Sequence, residues 1–156
     1  AGGGPLLPGI RGFVRESGLA ERVTFTEWIP HEDLPLHLND LRLLVLPSYT
    51  EGLPNIMLEA MACGTPVLAT PVGAVPDFIR DGETGFILAS NTPEGIATSV
   101  LAVLSRPDLE PVAKAARDYV RKEITFEQAT EQFAVVIDGL RNGLQYVSSR
   151  DSGKSG

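Results

Sequence analysis

The sequence holds a single cysteine, Cys63, which excludes an internal disulfide framework and a cysteine-rich metal site. Cys63 lies in an apolar segment and reads as a small core residue, because apolar surroundings suppress the reactive thiolate. No apolar run approaches the roughly 20 residues that a membrane-spanning helix needs. Basic residues are scarce: 13 Lys and Arg against 20 Asp and Glu give a net charge of −7. That balance argues against a nucleic-acid binder, which presents a basic face or stripe. His37, set between Leu36 and Leu38, has no nearby Cys, His or Asp pattern that would make it a metal ligand. The chain starts Ala-Gly-Gly-Gly-Pro with neither Met nor a signal-like segment, and is expected to be a piece of a longer protein.

What is present suffices for one domain with a real core, at 156 residues and 43% apolar. Gly2, Gly3, Gly4 and Pro5 form a flexible turn, either the end of a strand-to-helix loop or a cloning linker. Ile10, Phe13 and Val14 then fall on one helical stripe, which Gly18 can cap. A short strand is expected over 23–25, and Pro30 forbids its continuation, so Trp28, Ile29 and His31 belong to a loop at a strand's carboxyl end. Ligands sit at such ends in open parallel sheets. Trp28 is either a partly buried aromatic or a stacking surface, and His31 is either an ordinary helix-start residue or a ligand contact.

A short helix over 34–38 precedes a strand over 41–46, whose apolar run reads as buried on both faces. Further strands are expected over 67–69 and 85–88, with a short helix over 75–80 and a second loop at Pro71, Val72 and Gly73. The recurrence of a strand about every twenty residues, with helices between, is a βαβ rhythm and implies a doubly wound parallel α/β sheet. Thr92-Pro93-Glu94 starts a helix running to about residue 104, since it supplies a hydroxyl cap, a first-turn proline and an acid for the dipole. A second helix reaches about residue 123. Thr125 caps a third, with Phe126, Ala129, Phe133, Val136, Ile137 and Leu140 on one stripe. Residues 1–147 are read as the domain, and 148–156 as a small, polar tail expected to be disordered.

The stretch that organises the rest is 47–66, PSYTEGLPNIMLEAMACGTP. A polar turn leads into a helix, with Pro54 suited to its first position and Gly64 followed by Pro66 at its end. Ile56, Met57, Leu58, Ala60, Met61, Ala62 and Cys63 leave this helix without a polar face, so burial on every side is expected. Glu59 sits in its middle, and no Lys or Arg occurs from Asn55 through Ala69. A buried carboxylate needs a distant cation or a polar ligand. Glu51, eight positions earlier, stands just ahead of the helix, where an anion can bind the free N–H groups. A purely structural pairing, with Glu51 complementing the dipole and Glu59 meeting a distant Arg, is the bland alternative.

Glu51 followed by GLP and Glu59 followed by AMACGTPV resemble the E-x7-E signature of retaining glycosyltransferases of the family 4 type, the group 1 glycosyl transferases. The resemblance extends to about Leu140. It implies one Rossmann-like half of a GT-B fold, N-terminally truncated, which takes a nucleotide-sugar donor and serves transfer to an acceptor with retention of configuration. By this resemblance Glu51 is the catalytic-site carboxylate that hydrogen-bonds donor-sugar hydroxyls. Gly52, Leu53, Pro54, Asn55 and Ile56 line the sugar and diphosphate, and Glu59 accepts from the ribose. A carboxylate suits both tasks, since its two oxygens match the two donors of a vicinal diol. Trp28, Ile29 and His31 would flank the nucleobase. Glu27 departs from the family, where a Gly usually stands.

The resemblance further implies that the phosphate-binding cations lie in an earlier segment and that the other domain of the enzyme supplies the acceptor groups. The fragment alone would then be inactive. No Asp-x-Asp pattern occurs in the chain, and neither metal nor cofactor is expected. The implied location is cytoplasmic, with room for peripheral contact at the inner face of a membrane, because many relatives act on lipid-linked acceptors. Two alternatives stay open: a sugar-nucleotide epimerase of the same architecture, needing no separate acceptor, and a non-enzymatic doubly wound binding domain. Hydrolysis by a Glu51–Glu59 pair fits less well, since one Glu in a loop and one inside a helix suit gripping a ligand.

Overall fold

A computed structural model describes residues 3–125, 127–128, 130–131 and 134–140. The chain divides into two compact units, the first ending at Leu41 and the second beginning at Arg42. In the first, α1 (Leu7–Glu16) carries a proline in its opening turn. It ends where Gly18 takes φ 69°, with the Leu19 N–H donating to the Val14 carbonyl at 2.9 Å. Of the expected stripe, Val14 is buried, whereas Ile10 and Phe13 are exposed. A short 3-10 turn at Ala20–Arg22 follows.

The strand expected over 23–25 is not formed. Val23 has extended dihedrals, yet these residues enter no ladder, and extended backbone becomes a strand only when a neighbour pairs with it. Arg11 instead covers this segment: its guanidinium lies 5.4 Å from the Phe25 ring centre and contacts the Glu27 carboxylate at 2.6 Å. The residue that departs from the resembled family thus has an ion-pair partner. Helix α2 (Leu34–Asn39) closes the unit, with Leu38 buried.

The second unit is built on a parallel sheet in the order β1-β2-β3. β1 (Leu44–Leu46) pairs with β2 (Val67–Ala69) so that Leu46 lies beside Ala69, and β2 pairs with β3 (Phe86–Ile87). β2 is buried throughout, as an apolar run flanked by strands and helices should be. β1 is only half-buried, contrary to the expectation of burial on both faces, because within this sheet it is an edge strand. Leu68 packs with Phe86, Leu88, Val103 and Val112, drawing residues of α5 (Pro93–Leu104) and α6 (Leu109–Glu123) into one core.

Helix α3 (Asn55–Cys63) crosses from β1 to β2. It packs against both strands and above all against α6, whose Ala113 and Ala116 are small and buried. Its buried face is narrow: Met57, Ala60 and Met61 are inaccessible, while Ile56, Leu58, Glu59, Ala62 and Cys63 are half-buried. Burial on every side is therefore corrected, because the sheet and α6 cover one side of the helix. Pro54 is likewise not the first helical residue but the cap, with ψ 101°. Gly64 at φ 83° ends the helix, with N–H bonds from Gly64 to Met61 and from Thr65 to Ala60, the pairing of a Schellman stop.

α4 (Val75–Phe78) is shorter than the expected 75–80. α5 begins as its sequence implies, with the Thr92 hydroxyl accepting from the Gly95 N–H at 3.1 Å. Ahead of α6, Arg106 donates through Nε and a terminal nitrogen to both Asp108 oxygens, and this fork holds the carboxyl below its usual range. Thr125 accepts from the Gln128 N–H, and the described residues from 127 to 140 are helical. Val136, Ile137 and Leu140 of the expected stripe are exposed there. Phe126, Ala129, Phe133, Gly2 and the expected tail over 148–156 lie outside the described residues.

One contact between loops fixes how β1 and β2 end. Gly73 has φ 58°, and a Cβ placed on it would overlap the carbonyl oxygens of Glu51 and Gly52. Gly73→Ala should therefore lose about 2–4 kcal/mol in denaturant unfolding, the sum of left-handed strain and overpacking against backbone. Met57→Ala, which empties a fully buried site, should lose about 2–5 kcal/mol, whereas Leu101→Ser on the exposed face of α5 should change stability by less than about 0.5 kcal/mol.

Candidate functional site

Parallel strands deliver all their carboxyl ends to one edge of a sheet, and here three loops meet at that edge. The loop after β1 carries Pro47 through Pro54, the loop after β2 carries Thr70 through Ala74, and the chain after β3 runs through Leu88 to Thr92. Thr70 extends the ladder by donating its N–H to the Leu46 carbonyl at 3.1 Å. Its buried hydroxyl reaches the Ser48 carbonyl at 2.6 Å. From the third loop, Asn91 donates through Nδ2 to the Pro47 carbonyl at 3.0 Å and to the Ser48 carbonyl at 3.5 Å. The Ala74 N–H donates to the Gly52 carbonyl at 2.8 Å.

Held this way, the first loop presents Glu51. The Ser48 hydroxyl donates to Glu51 Oε1 at 2.7 Å, and the carboxylate is half-buried. Gly52 is exposed, and a Cβ there would meet no protein atom within 4 Å, so the space above it is open to a ligand. Leu53 is exposed, Pro54 buried, Asn55 exposed and Ile56 half-buried. The opening turn of α3 has neither a side-chain cap nor an acidic residue. The Met57 N–H donates to the Pro54 carbonyl at 2.9 Å, whereas the N–H groups of Asn55 and Ile56 precede any intrahelical acceptor and lie at the positive end of the dipole. α5 differs, because Thr92 covers its first turn.

Glu59 lies one turn into α3 and is half-buried, with an interaction partner in the structure. Its burial is less than the sequence suggests, since it lies off the face occupied by Met57, Ala60 and Met61. Glu51, the α3 N-terminus and Glu59 thus follow one another along one loop and helix. The expected nucleobase residues belong to the first unit. Trp28 is 83% exposed. Ile29 is half-buried and His31 is exposed in the turn ahead of α2, where its carbonyl accepts from the Leu34 N–H. His37 is exposed, and Cys63 is a free, half-buried thiol.

Among the described residues, no group of three or more His, Cys, Asp or Glu is placed to hold a metal ion, and no helix is long and apolar enough to cross a membrane. Thr70 and Asn91 escaped the sequence reading. The signal for Thr70 is a hydroxyl residue directly after an all-apolar strand. For Asn91 it is a Ser-Asn-Thr cluster just past the third strand, which reads first as helix-start chemistry.

A family model described as "Glycosyl transferases group 1" matches residues 1–106. A GDP-mannose-dependent alpha-(1-6)-phosphatidylinositol monomannoside mannosyltransferase of Mycolicibacterium smegmatis is 37% identical over 152 residues, which is 92% of this chain and 40% of that protein. Among solved structures, the sucrose-phosphate synthase of Thermosynechococcus elongatus aligns with 92% of this chain and 38% of its own, with a TM-score of 0.77 and 29% identity. Anabaena Alr3699/HepE, solved in complex with UDP-glucose, aligns with 85% of this chain and 36% of its own, with a TM-score of 0.74. At 20% identity that likeness is one of fold. The chain spans less than half the length of each of these three proteins. The parallel α/β sheet is of the Rossmann-like kind that forms one half of a GT-B fold, as expected. With its residues matched over two thirds of their number, the chain belongs to the group 1 glycosyl transferases.

Proposed function

We propose that this chain is the donor-binding part of an enzyme that transfers a sugar from a nucleotide-sugar to an acceptor with retention of configuration. The observation that carries the reading is the uncapped N-terminus of α3 at the carboxyl edge of the sheet, with Glu51 just before it and Glu59 one turn inside. A diphosphate fits the first turn, because free N–H groups and the dipole favour an anion there. Gly52 lets the ligand approach the backbone, and Leu53, Pro54, Asn55 and Ile56 line it.

Glu51 then grips hydroxyls of the donor sugar, and Glu59 grips the ribose. The resemblance gives Trp28, Ile29 and His31, in the first unit, as the residues that flank the base. Stabilising the departing diphosphate is the electrostatic part of the reaction. Residues 43–79 contain no Lys or Arg, so the cation for that step comes from elsewhere in the enzyme. The chain alone is inactive on this reading, which also assigns the enzyme no resident metal. The names of the relatives make GDP-mannose and UDP-glucose the donors to try first. The phosphatidylinositol in the mycolicibacterial name supports an acceptor at a membrane surface.

Amide chemical shifts of this chain, followed during titration with UDP, GDP and ADP in turn, should move at 28–31 and 51–59 with one nucleotide and thereby identify the base. Glu59→Ala should weaken that nucleotide by about tenfold, the scale of losing hydrogen bonds to a charged group. Unchanged affinity in Glu59→Ala would remove the ribose assignment. Shifts confined to other residues would move the donor site altogether.

A further inference from the structure

We propose that Thr70 and Asn91 are positioning residues, which orient Glu51 toward the donor sugar by fixing the backbone at Pro47 and Ser48. The inference rests on the reading of Glu51 as the group that grips that sugar. Its basis is a relay of hydrogen bonds across three loops. The Ser48 carbonyl accepts from Thr70 Oγ1 at 2.6 Å and from Asn91 Nδ2 at 3.5 Å, and the Pro47 carbonyl accepts from the same Nδ2 at 3.0 Å. Two consecutive peptide groups are thus held by side chains arriving after β2 and after β3. With both peptides fixed, the direction in which Ser48 projects its side chain is fixed as well. Its hydroxyl donates to Glu51 Oε1 at 2.7 Å. A carboxylate has two oxygens, so this bond sets the plane of the group and leaves the second oxygen for another donor.

Two further features favour positioning over simple bracing. Of the Asn91 amide, only Nδ2 bonds to described protein atoms, and both of its acceptors are the consecutive carbonyls of Pro47 and Ser48. The other side of the loop is fixed by the Ala74 N–H on the Gly52 carbonyl and by the backbone contact at Gly73. The loop after β2 therefore holds the peptide groups on both sides of Glu51, and Asn91, after β3, adds its bonds to those before it. Thr70 and Asn91 govern the groups before Glu51, whose outlet is the Ser48 hydroxyl.

The test separates the sugar's share of binding from the nucleotide's. Dissociation constants of this chain for UDP and UDP-glucose, and for GDP and GDP-mannose, are measured by calorimetry. The readout is the ratio of the diphosphate constant to the nucleotide-sugar constant. Glu51→Ala should lower this ratio by about tenfold, the worth of a hydrogen bond to a charged group. Asn91→Ala and Thr70→Val should lower it by a similar factor with the diphosphate constant within about twofold, and Thr70→Ser should restore it.

Equal weakening of diphosphate and nucleotide-sugar in both variants would reveal a merely structural role and overturn the proposal. An unchanged ratio in Asn91→Ala and Thr70→Val, beside a lowered one in Glu51→Ala, would overturn it while leaving the role of Glu51 standing. An unchanged ratio in Glu51→Ala, or no binding of any of the four probes by the native chain, would overturn the underlying reading and the inference with it. Asn91 is only partly buried, so its variant keeps the test valid if Thr70→Val fails to fold.

Discussion

The contact on which the second unit depends is backbone on backbone: the Glu51 and Gly52 carbonyls lie against the Cα of Gly73 at a separation that no side chain tolerates. The register of β1 on β2 brings this about, since pairing Leu46 with Ala69 makes the two strands end together and turn away side by side. Thr70 continues the ladder for one more residue and then turns its hydroxyl onto Ser48. A one-residue slip would reverse every side chain of β2 and also separate Gly73 from its partner carbonyls. Sheet register and loop geometry are therefore one constraint.

Helix α3 carries two demands that its sequence divides between its faces and its ends. One face, with Met57, Ala60 and Met61, anchors it against the sheet and α6 and gives the burial that stabilises a nine-residue helix. Its C-terminus is closed by Gly64, with the aliphatic part of Arg117 packed nearby. Its N-terminus has no side-chain cap, and the residue there, Pro54, cannot supply one. Replacing a good cap typically loses about 1 kcal/mol, and Thr92 provides such a cap for α5. Among α3 to α6, α4 and α6 also lack a side-chain cap but carry an acid in the first turn, so the start of α3 differs in having neither, and a departure from local rules at one place points to that place as functional.

Much of this was legible in the residues. The strand over 67–69, the helices over 93–104 and 109–123, the Gly64 stop and the Thr92 cap all follow from short-range chemistry, and each appears where that chemistry puts it. The failures share a physical cause, because they concern what lies across the chain rather than along it. Val23 to Phe25 has strand composition, but pairing decides whether it is a strand. The runs at β1 and α3 are apolar enough for complete burial, yet an edge position and one-sided packing leave them half-covered. At the candidate site, the resemblance located Glu51 and Glu59 as a pair. Thr70 and Asn91 stand 22 and 43 residues from Ser48, and no spacing rule joins them to it.

On the proposed reading, electrostatics decides what the start of α3 contributes to holding a diphosphate. The N-terminus of α3 offers about half an elementary positive charge, while a nucleoside diphosphate brings two or more negative ones. Glu51 adds another negative charge at the same place, and the chain as a whole stands at −7. Neutral N–H donors can orient a diphosphate without balancing it. If the site takes a nucleotide-sugar as proposed, a positive side chain has to offset the charge of the departing diphosphate, and residues 43–79 contain none. On the proposed reading, donor binding and bond cleavage draw on different groups: the loop after β1 and the start of α3 orient the diphosphate, and a Lys or Arg outside residues 43–79 supplies the charge for its departure.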